Sequence, residues 1–240
     1  MELMTFLRVI ARTMKTYIKI FLSLWFLVSQ AVYAESDSVT AHSPKNRVAL
    51  LELYTSEGCS SCPPAETWLS NLKKSGVSSH QLIPLAFHVT YWDYIGWRDE
   101  LASERYDQRQ RKIARYNSQK TIYTPQFVLA GSDYRTYNSF TSDVHKIVSQ
   151  ESVIDLKLSA KKSDVFKIDV ELVADIKRSD VKDVALFIAV YENDLSVDVK
   201  DGENEGELLH HDYVVRQLYG PFIQGVPDVQ SSLQQVIDID

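Results

Sequence analysis

Both cysteines of the 240-residue chain lie in one motif, Cys59-Ser60-Ser61-Cys62, which stands between two different sequence patterns. Before it, residues 48–54 form a nearly continuous apolar run, which is typical of a strand buried on both faces of a sheet. After it, Pro63 and Pro64 suit the first turn of a helix, because their missing N–H groups cost nothing there. Apolar residues then recur at helical spacing: Ala65, Trp68, Leu69 and Leu72. The sequence therefore predicts a strand, a cysteine-containing turn and a helix as the first folding unit.

The first 34 residues have the charged, apolar and small-residue order of a secretory signal peptide. Four basic residues precede an apolar run at 20–28, and Val32 and Ala34 occupy the small-residue positions before the cut. The apolar run is about half of the roughly 20 residues that a membrane span requires. Met14 begins a complete leader of ordinary length, so we expect translation to start there. The sequence predicts an exported protein, periplasmic or secreted, without a stable membrane span after signal cleavage.

Composition excludes several classes of protein and of partner. The chain has 24% charged residues, which does not fit a highly charged disordered protein, and its two cysteines are too few for a disulfide-scaffolded mini-protein. Its net charge is −6, and removal of the basic leader makes the remainder more acidic. Because an acidic surface repels nucleic acid and anionic lipid, we expect neither as a general partner.

The remaining pattern predicts two domains after a flexible tether at 35–46. The first, at 47–150, combines strands and helices: strands at 82–89 and 124–129, a hairpin partner at 134–136, and helices at 98–116 and 139–149. From residue 153 the apolar residues alternate with polar ones, which indicates half-buried strands. The second predicted domain, at 151–240, is therefore an antiparallel, sandwich-like β-rich domain with strands near 154–158, 166–172, 184–191 and 208–218.

The cysteine pair favours thiol chemistry over a metal or a purely structural role. A closed zinc site needs four ligands, and the sequence has no second cysteine pair. In an exported protein Cys59 and Cys62 can form a disulfide at a helix N-terminus, where the helix dipole and free N–H groups favour a thiolate. A ring this short gains little loop entropy, so stability alone is a weak reason for it. An inert disulfide that holds the loop is the alternative.

Four sequence blocks resemble the thioredoxin superfamily and, more narrowly, an exported bacterial thioredoxin-like family catalogued as a domain of unknown function. They are EGCSSCPPAE (57–66), FHVTYWDYIGW (87–97), YTPQFVLAG (123–131) and HDYVVR (211–216), and the resemblance covers about residues 47–225. It implies a thioredoxin-like α/β fold with a C-terminal β extension and an envelope location. It implies no established reaction and no cofactor.

By analogy with the superfamily, Cys59 would react with a partner thiol or disulfide to form a mixed disulfide, and Cys62 would resolve it. The partners would be thiols or disulfides of envelope proteins. Thr124 and Pro125 would present backbone to a bound peptide, with a cis bond between them. The anions Glu57 and Glu66 oppose thiolate formation. We therefore expect a modestly lowered pKa for Cys59 and a couple that is not strongly oxidising.

Other residues have both a functional and a structural interpretation. Tyr91, Trp92 and Trp97 form either an aromatic substrate-binding wall beside Cys59 or the packing of a long loop. His88 ends the strand after the cysteine helix, so Cys59, Cys62 and His88 are a candidate ligand set for a soft copper ion. A non-enzymatic binding or assembly module with a structural disulfide is a further alternative. We interpret His211 as a structural residue of the β domain, and the acidic segment 198–207 as a solvated hairpin loop.

Overall fold

The computed structural model describes residues 38–74, 77–178, 180–181, 184–224 and 231–238. The predicted signal peptide at 1–34 and the predicted start at Met14 lie outside these ranges. Among the helices that the ranges contain, none is both long and apolar enough to cross a membrane.

The described chain is a mixed α/β protein made mostly of strands in several sheets, with few helices. Its first half contains strands and α-helices in alternation: β1 (Ser38–His42), β2 (Ala49–Thr55), α1 (Pro63–Asn71), β3 (Leu82–His88), α2 (Glu104–Tyr116), β4 (Gln126–Leu129), β5 (Ser132–Tyr134) and α3 (Phe140–Val148). Its second half contains strands: β6 (Ile154–Asp164), β7 (Lys167–Ile176), β8 (Val184–Glu192), β9 (Leu195–Asp198), β10 (Leu208–His211), β11 (Val214–Gln224) and β12 (Ser231–Asp238).

A six-stranded sheet in the order β5-β4-β2-β3-β11-β8 forms the centre. Strands β2, β3 and β11 run parallel, whereas β4, β5 and β8 are antiparallel to their neighbours. Successive side chains of β2 point to opposite faces, so that Leu51 and Leu53 pack with residues of α1 and α3. Tyr54 packs instead with Phe87 and with Tyr106 of α2. The helices thus cover both faces of the sheet.

Strand register brings three chain segments to one end of this sheet. Thr55, the last residue of β2, is level with His88 of β3, and the preceding Tyr54 is level with Gln126, the first residue of β4. Because β4 runs antiparallel to β2, Pro125, which precedes Gln126, lies level with Thr55, which follows Tyr54. The cysteine turn, the end of β3 and the Thr124–Pro125 bond accordingly meet at the same edge.

A second sheet, in the order β1-β6-β7-β12, is antiparallel throughout. Apolar residues of β7 and β12 form a core with residues of β8, among them Leu172, Ile188 and Ile237. Strands β8 and β11, which follow residue 150, belong to the central sheet, so that sheet continues across the boundary predicted between 47–150 and 151–240. The division into two domains stays a prediction.

Three details of the predicted secondary structure are wrong. The predicted tether at 35–46 contains strand β1, because the free edge of β6 offers backbone partners whatever the side chains are. The helix predicted to begin at Arg98 begins at Glu104, after Ser103, whose hydroxyl accepts the N–H of Arg105. The single strand predicted at 208–218 is divided into β10 and β11, with a positive φ at Tyr213 between them.

Candidate functional site

Cys59 and Cys62 form a disulfide in the turn that enters α1, with their Cα atoms 5.4 Å apart. Both residues are buried, at 1% and 0% exposure. The hydroxyl of Ser61 lies 3.3 Å from Sγ of Cys59. Because a disulfide sulfur carries no proton, Ser61 is the donor of this hydrogen bond.

The loop between β9 and β10 lies over the cysteine turn. Asn204 is buried, and its side-chain amide donates to the carbonyl oxygens of Glu57 at 2.7 Å and Cys59 at 3.2 Å. The backbone N–H of Ser60 donates to Oε2 of Glu203 at 3.0 Å. Gly202 has a positive φ of 79°, and a Cβ added there would come within 3.2 Å of Cβ of Trp97. The predicted solvated loop at 198–207 is therefore in part a cover for the disulfide.

Tyr91, Trp92 and Trp97 are half-buried, whereas Tyr94 is exposed, and Trp92 connects the cysteine turn to the segment before β4. The indole N–H of Trp92 donates to the hydroxyl of Thr124 at 2.6 Å, and a Cβ added at Gly58 would come within 3.3 Å of Cβ of Trp92. The Thr124–Pro125 bond is cis, as expected. The hydroxyl of Tyr91 donates to Gln110 of α2 at 3.1 Å.

Buried charged groups next to the cysteine turn form a histidine–carboxylate cluster, which consists of Glu57, Glu66, His88, Asp99 and His211. Its first half joins β3 to the segment before α2. Nδ1 of His88 lies 2.7 Å from Oδ2 of Asp99, and both side chains are fully enclosed. The same Asp99 oxygen accepts the backbone N–H of Glu57 at 3.0 Å. Since a carboxylate only accepts hydrogen bonds, Nδ1 of His88 carries a proton.

The second half of the cluster joins α1 to β10. Nδ1 of His211 donates to Oε2 of Glu66, whose other oxygen accepts the hydroxyl of Thr55 at 2.5 Å. Nε2 of His211 lies 3.3 Å from Oε1 of Glu57, within ion-pair distance but outside hydrogen-bond geometry. The other oxygen of Glu57 accepts the indole N–H of Trp97 at 2.6 Å. His211 therefore lies between two buried carboxylates.

The carboxylates determine the protonation of both imidazoles. Burial alone would lower the pKa of His211, but Glu57 and Glu66 outweigh it and raise that pKa to about 10. Burial likewise opposes protonation of His88, and Asp99 outweighs it, so the pKa of His88 is also raised. The positive charge on His211 in turn offsets the carboxylates beside the disulfide. Glu57 and Glu66 therefore oppose the formation of a Cys59 thiolate less strongly than two unpaired carboxylates would.

The structure brings some of the predicted site residues together in a different arrangement from the one expected. In the disulfide neither Cys59 nor Cys62 is a thiolate, and the titratable groups next to His88 are Asp99, Glu66 and His211. The prediction that His211 serves only the β domain is wrong, because it contacts residues on both sides of the cysteine pair. Sequence reasoning also missed Asp99 and Asn204. No spacing in the chain could indicate them, since long-range packing alone brings them to the turn.

The fold and the site together define a mixed α/β protein with one buried disulfide beside a histidine–carboxylate cluster. The chain belongs to the family described as "Protein of unknown function (DUF1223)", which matches residues 50–235. The sequence matches none of the curated proteins.

Two solved structures are similar in fold. One is the crystal structure of protein AGR_C_4864 from Agrobacterium tumefaciens, with a TM-score of 0.58 and 23% identity, covering 81% of this chain and 80% of that one. The other is HBP35 of Porphyromonas gingivalis, with a TM-score of 0.59 and 12% identity, covering 82% of this chain and 65% of that one. At these identities the likeness concerns the fold alone.

Proposed function

We propose that this chain is an exported thioredoxin-like protein that exchanges disulfides with thiols or disulfides of bacterial envelope proteins. The observation that carries the proposal is the position of the disulfide. Both cysteines of the chain are paired at the N-terminus of a helix, at the sheet edge where the Thr124–Pro125 bond also lies. A helix N-terminus stabilises the thiolate that exchange requires.

Topology supports the thioredoxin-like part of the proposal. Strand β2, the cysteine turn, α1 and the parallel strand β3 form one unit, and the antiparallel hairpin β4–β5 and helix α3 follow. A partner peptide would add to the backbone at Thr124, as an extended segment adds to a strand edge. Trp92 would hold that residue through its bond to the Thr124 hydroxyl. The signal-peptide pattern of the first 34 residues supports export to the envelope.

The proposed reaction needs no cofactor. A thiolate of a partner dithiol attacks Sγ of Cys59, the Cys59–Cys62 bond breaks, and Cys62 leaves as a thiolate. The second partner thiolate then attacks the mixed disulfide and releases Cys59. Two electrons pass from the partner to the cysteine pair, and the partner becomes a disulfide. In the opposite direction Cys59 attacks a partner disulfide and Cys62 resolves the intermediate.

One observation favours a second candidate, a binding or assembly module with a structural disulfide. Both cysteines are buried, and Asn204 and Glu203 hold the β9–β10 loop over them. An attacking thiolate must reach Sγ of Cys59 in line with the S–S bond, so exchange requires this loop to move. The two candidates differ in whether that movement occurs in the folded protein.

Trapping through single cysteines tests the proposal. A Cys62→Ala variant, exported in a bacterial host, leaves Cys59 free to form mixed disulfides that cannot be resolved. We expect non-reducing gels to show adducts that disappear on reduction. A Cys59→Ala variant, which leaves Cys62, the cysteine proposed to resolve the mixed disulfide, should form far fewer of them. Equal adducts from both variants, or none above the background of the double variant, would favour the structural module.

A further inference from the structure

The histidine–carboxylate cluster contains all the unsatisfied buried side-chain atoms that the described residues show. These atoms are Oε1 of Glu57, Nε2 of His88 and Nε2 of His211, and each has no hydrogen-bond partner. Native proteins pair the great majority of buried polar atoms, because a buried polar atom without a partner destabilises the folded state. Oε1 of Glu57 and Nε2 of His211 face each other at 3.3 Å as an ion pair, so among the described residues Nε2 of His88 is the buried atom that no protein group satisfies.

The ligand atoms of the cluster are arranged to converge. One donor atom each from Glu66, His88 and His211 lies within 4.8 Å of the other two, and all three residues are buried. Around a tetrahedral zinc ion with bonds of about 2.0 Å, donor atoms are roughly 3.3 Å apart. Small side-chain rotations would bring the three donors from within 4.8 Å to that separation. The hydrogen bond between Glu66 and His211 would then be replaced by bonds to the ion, and the proton of that bond would be released to solvent.

The surrounding groups match those that orient ligands in metal sites. Such a histidine usually gives its other ring N–H to a carboxylate, which fixes the tautomer and directs the free nitrogen. Asp99 holds Nδ1 of His88 in this way, so that the unpaired Nε2 is the nitrogen left to bind an ion. Thr55 fixes Glu66 in turn, by donating to its Oε1. Two histidines and a glutamate are also the protein ligands of one class of catalytic zinc site.

We propose that Glu66, His88 and His211 form a site for a divalent transition-metal ion of the Zn²⁺ type. The site is separate from the disulfide and uses no sulfur ligand. A water molecule or Oε1 of Glu57, which lies beside His211, takes the fourth position. The ion satisfies the unpaired nitrogen of His88, and its charge offsets the buried carboxylates. Because β10 supplies His211, the ion also fixes the hairpin whose loop covers the cysteines.

Calorimetric titration of the chelator-treated, oxidised full chain with zinc chloride tests this site. We expect one Zn²⁺ ion per chain, and X-ray absorption should show nitrogen and oxygen ligands at about 2.0 Å without sulfur at about 2.3 Å. His88→Gln should lower the affinity by more than 100-fold. Asp99→Asn, which removes the charge that orients His88 but leaves all three proposed ligands in place, should lower it by about 10- to 100-fold. His80→Gln, at an exposed histidine outside the cluster, should leave it unchanged.

Circular dichroism and an intact disulfide identify the variants that remain folded. If His88→Gln does not fold, Asp99→Asn and Glu66→Gln decide the outcome. The proposal is overturned if the wild-type chain binds less than one ion after prolonged equilibration and also carries none when produced in zinc-supplemented medium. It is equally overturned if folded cluster variants bind zinc as tightly as His80→Gln does, or if sulfur appears among the ligands.

Discussion

The side-chain amide of Asn204 donates a hydrogen bond to the carbonyl oxygen of Cys59 at 3.2 Å, across 145 positions of sequence. The same amide nitrogen lies 2.7 Å from the carbonyl oxygen of Glu57. Asn204 is therefore the residue through which the β9–β10 loop satisfies the backbone of the cysteine turn. Access to the disulfide depends on how readily this contact opens.

We expect Asn204→Ala to make the disulfide easier to reduce. The substitution leaves two carbonyl oxygens of the turn without this donor, at a cost of about 1–3 kcal/mol. The loop should then open more often, and dithiothreitol should reduce the native protein several times faster. Thiol alkylation after timed exposure to the reductant measures the rate. Asn138→Ala, at an exposed asparagine, is the control, and identical rates in both variants would contradict this role of Asn204.

Glu203 and Glu205 provide a matched pair within the same loop. Glu203 accepts the N–H of Ser60, and hydrogen bonds from the side chain and then the backbone of Ser60 lower the pKa of its carboxyl group. Glu203→Gln weakens the bond by removing the charge, so we expect faster reduction of the disulfide with little change in overall stability. Glu205→Gln removes the same charge from an exposed side chain and should have little effect on the rate. Parallel dithiothreitol time courses compare the two, and a larger effect of Glu205→Gln would contradict the contact.

The hydroxyl of Ser61 should stabilise a thiolate at Cys59 after reduction. A hydrogen bond to a charged group contributes about 1.5–3 kcal/mol, and each pKa unit corresponds to about 1.4 kcal/mol. We therefore expect Ser61→Ala to raise the pKa of Cys59 by about 1 to 2, as measured by the pH dependence of alkylation. Ser60→Ala should change it little, since the contact with Cys59 is made by Ser61. An unchanged pKa in Ser61→Ala would place the hydroxyl away from the thiolate.

Tyr91 should contribute to stability below about pH 10 and lose that contribution in alkaline solution. Burial is the main cause that raises its pKa to about 12, with Gln110 acting against it and Asp107 adding to it. A pKa raised in the folded state gives stability that is present below the unfolded value of about 10 and is lost as pH rises through 12. Urea midpoints of the wild type and Tyr91→Phe should therefore differ most at neutral pH and converge above pH 10. A difference that grows with pH would contradict this sign.

Local patterns predicted the elements around the cysteines because these elements depend on near neighbours in sequence. The apolar run before Cys59 and the two prolines after Cys62 correspond to β2 and α1. The start of α2 was placed six residues too early because Asp99 accepts backbone N–H groups and Ser103 caps the helix, and both are tertiary or capping effects. Strand β1 was missed because its partner, β6, lies more than 100 residues away.

The site was only partly predictable for the same reason. Cys59, Cys62 and the cis bond between Thr124 and Pro125 lie in motifs that a sequence displays directly. His211 was assigned by alternation along a strand, which indicates the face of a side chain but not what covers that face. Its contact with Glu66 joins β10 to α1, and such a contact arises from topology alone.

Redox equilibrium of the native protein tests the central claim most directly. The folded chain is incubated in thiol–disulfide buffers of graded potential, and the fraction of Cys59–Cys62 in the reduced form is measured after alkylation. Structural disulfides have potentials below about −300 mV, and strong oxidants lie near −120 mV. An exchange protein with this site should equilibrate while folded at a potential between these values. A pair that stays oxidised until the chain unfolds would contradict the account.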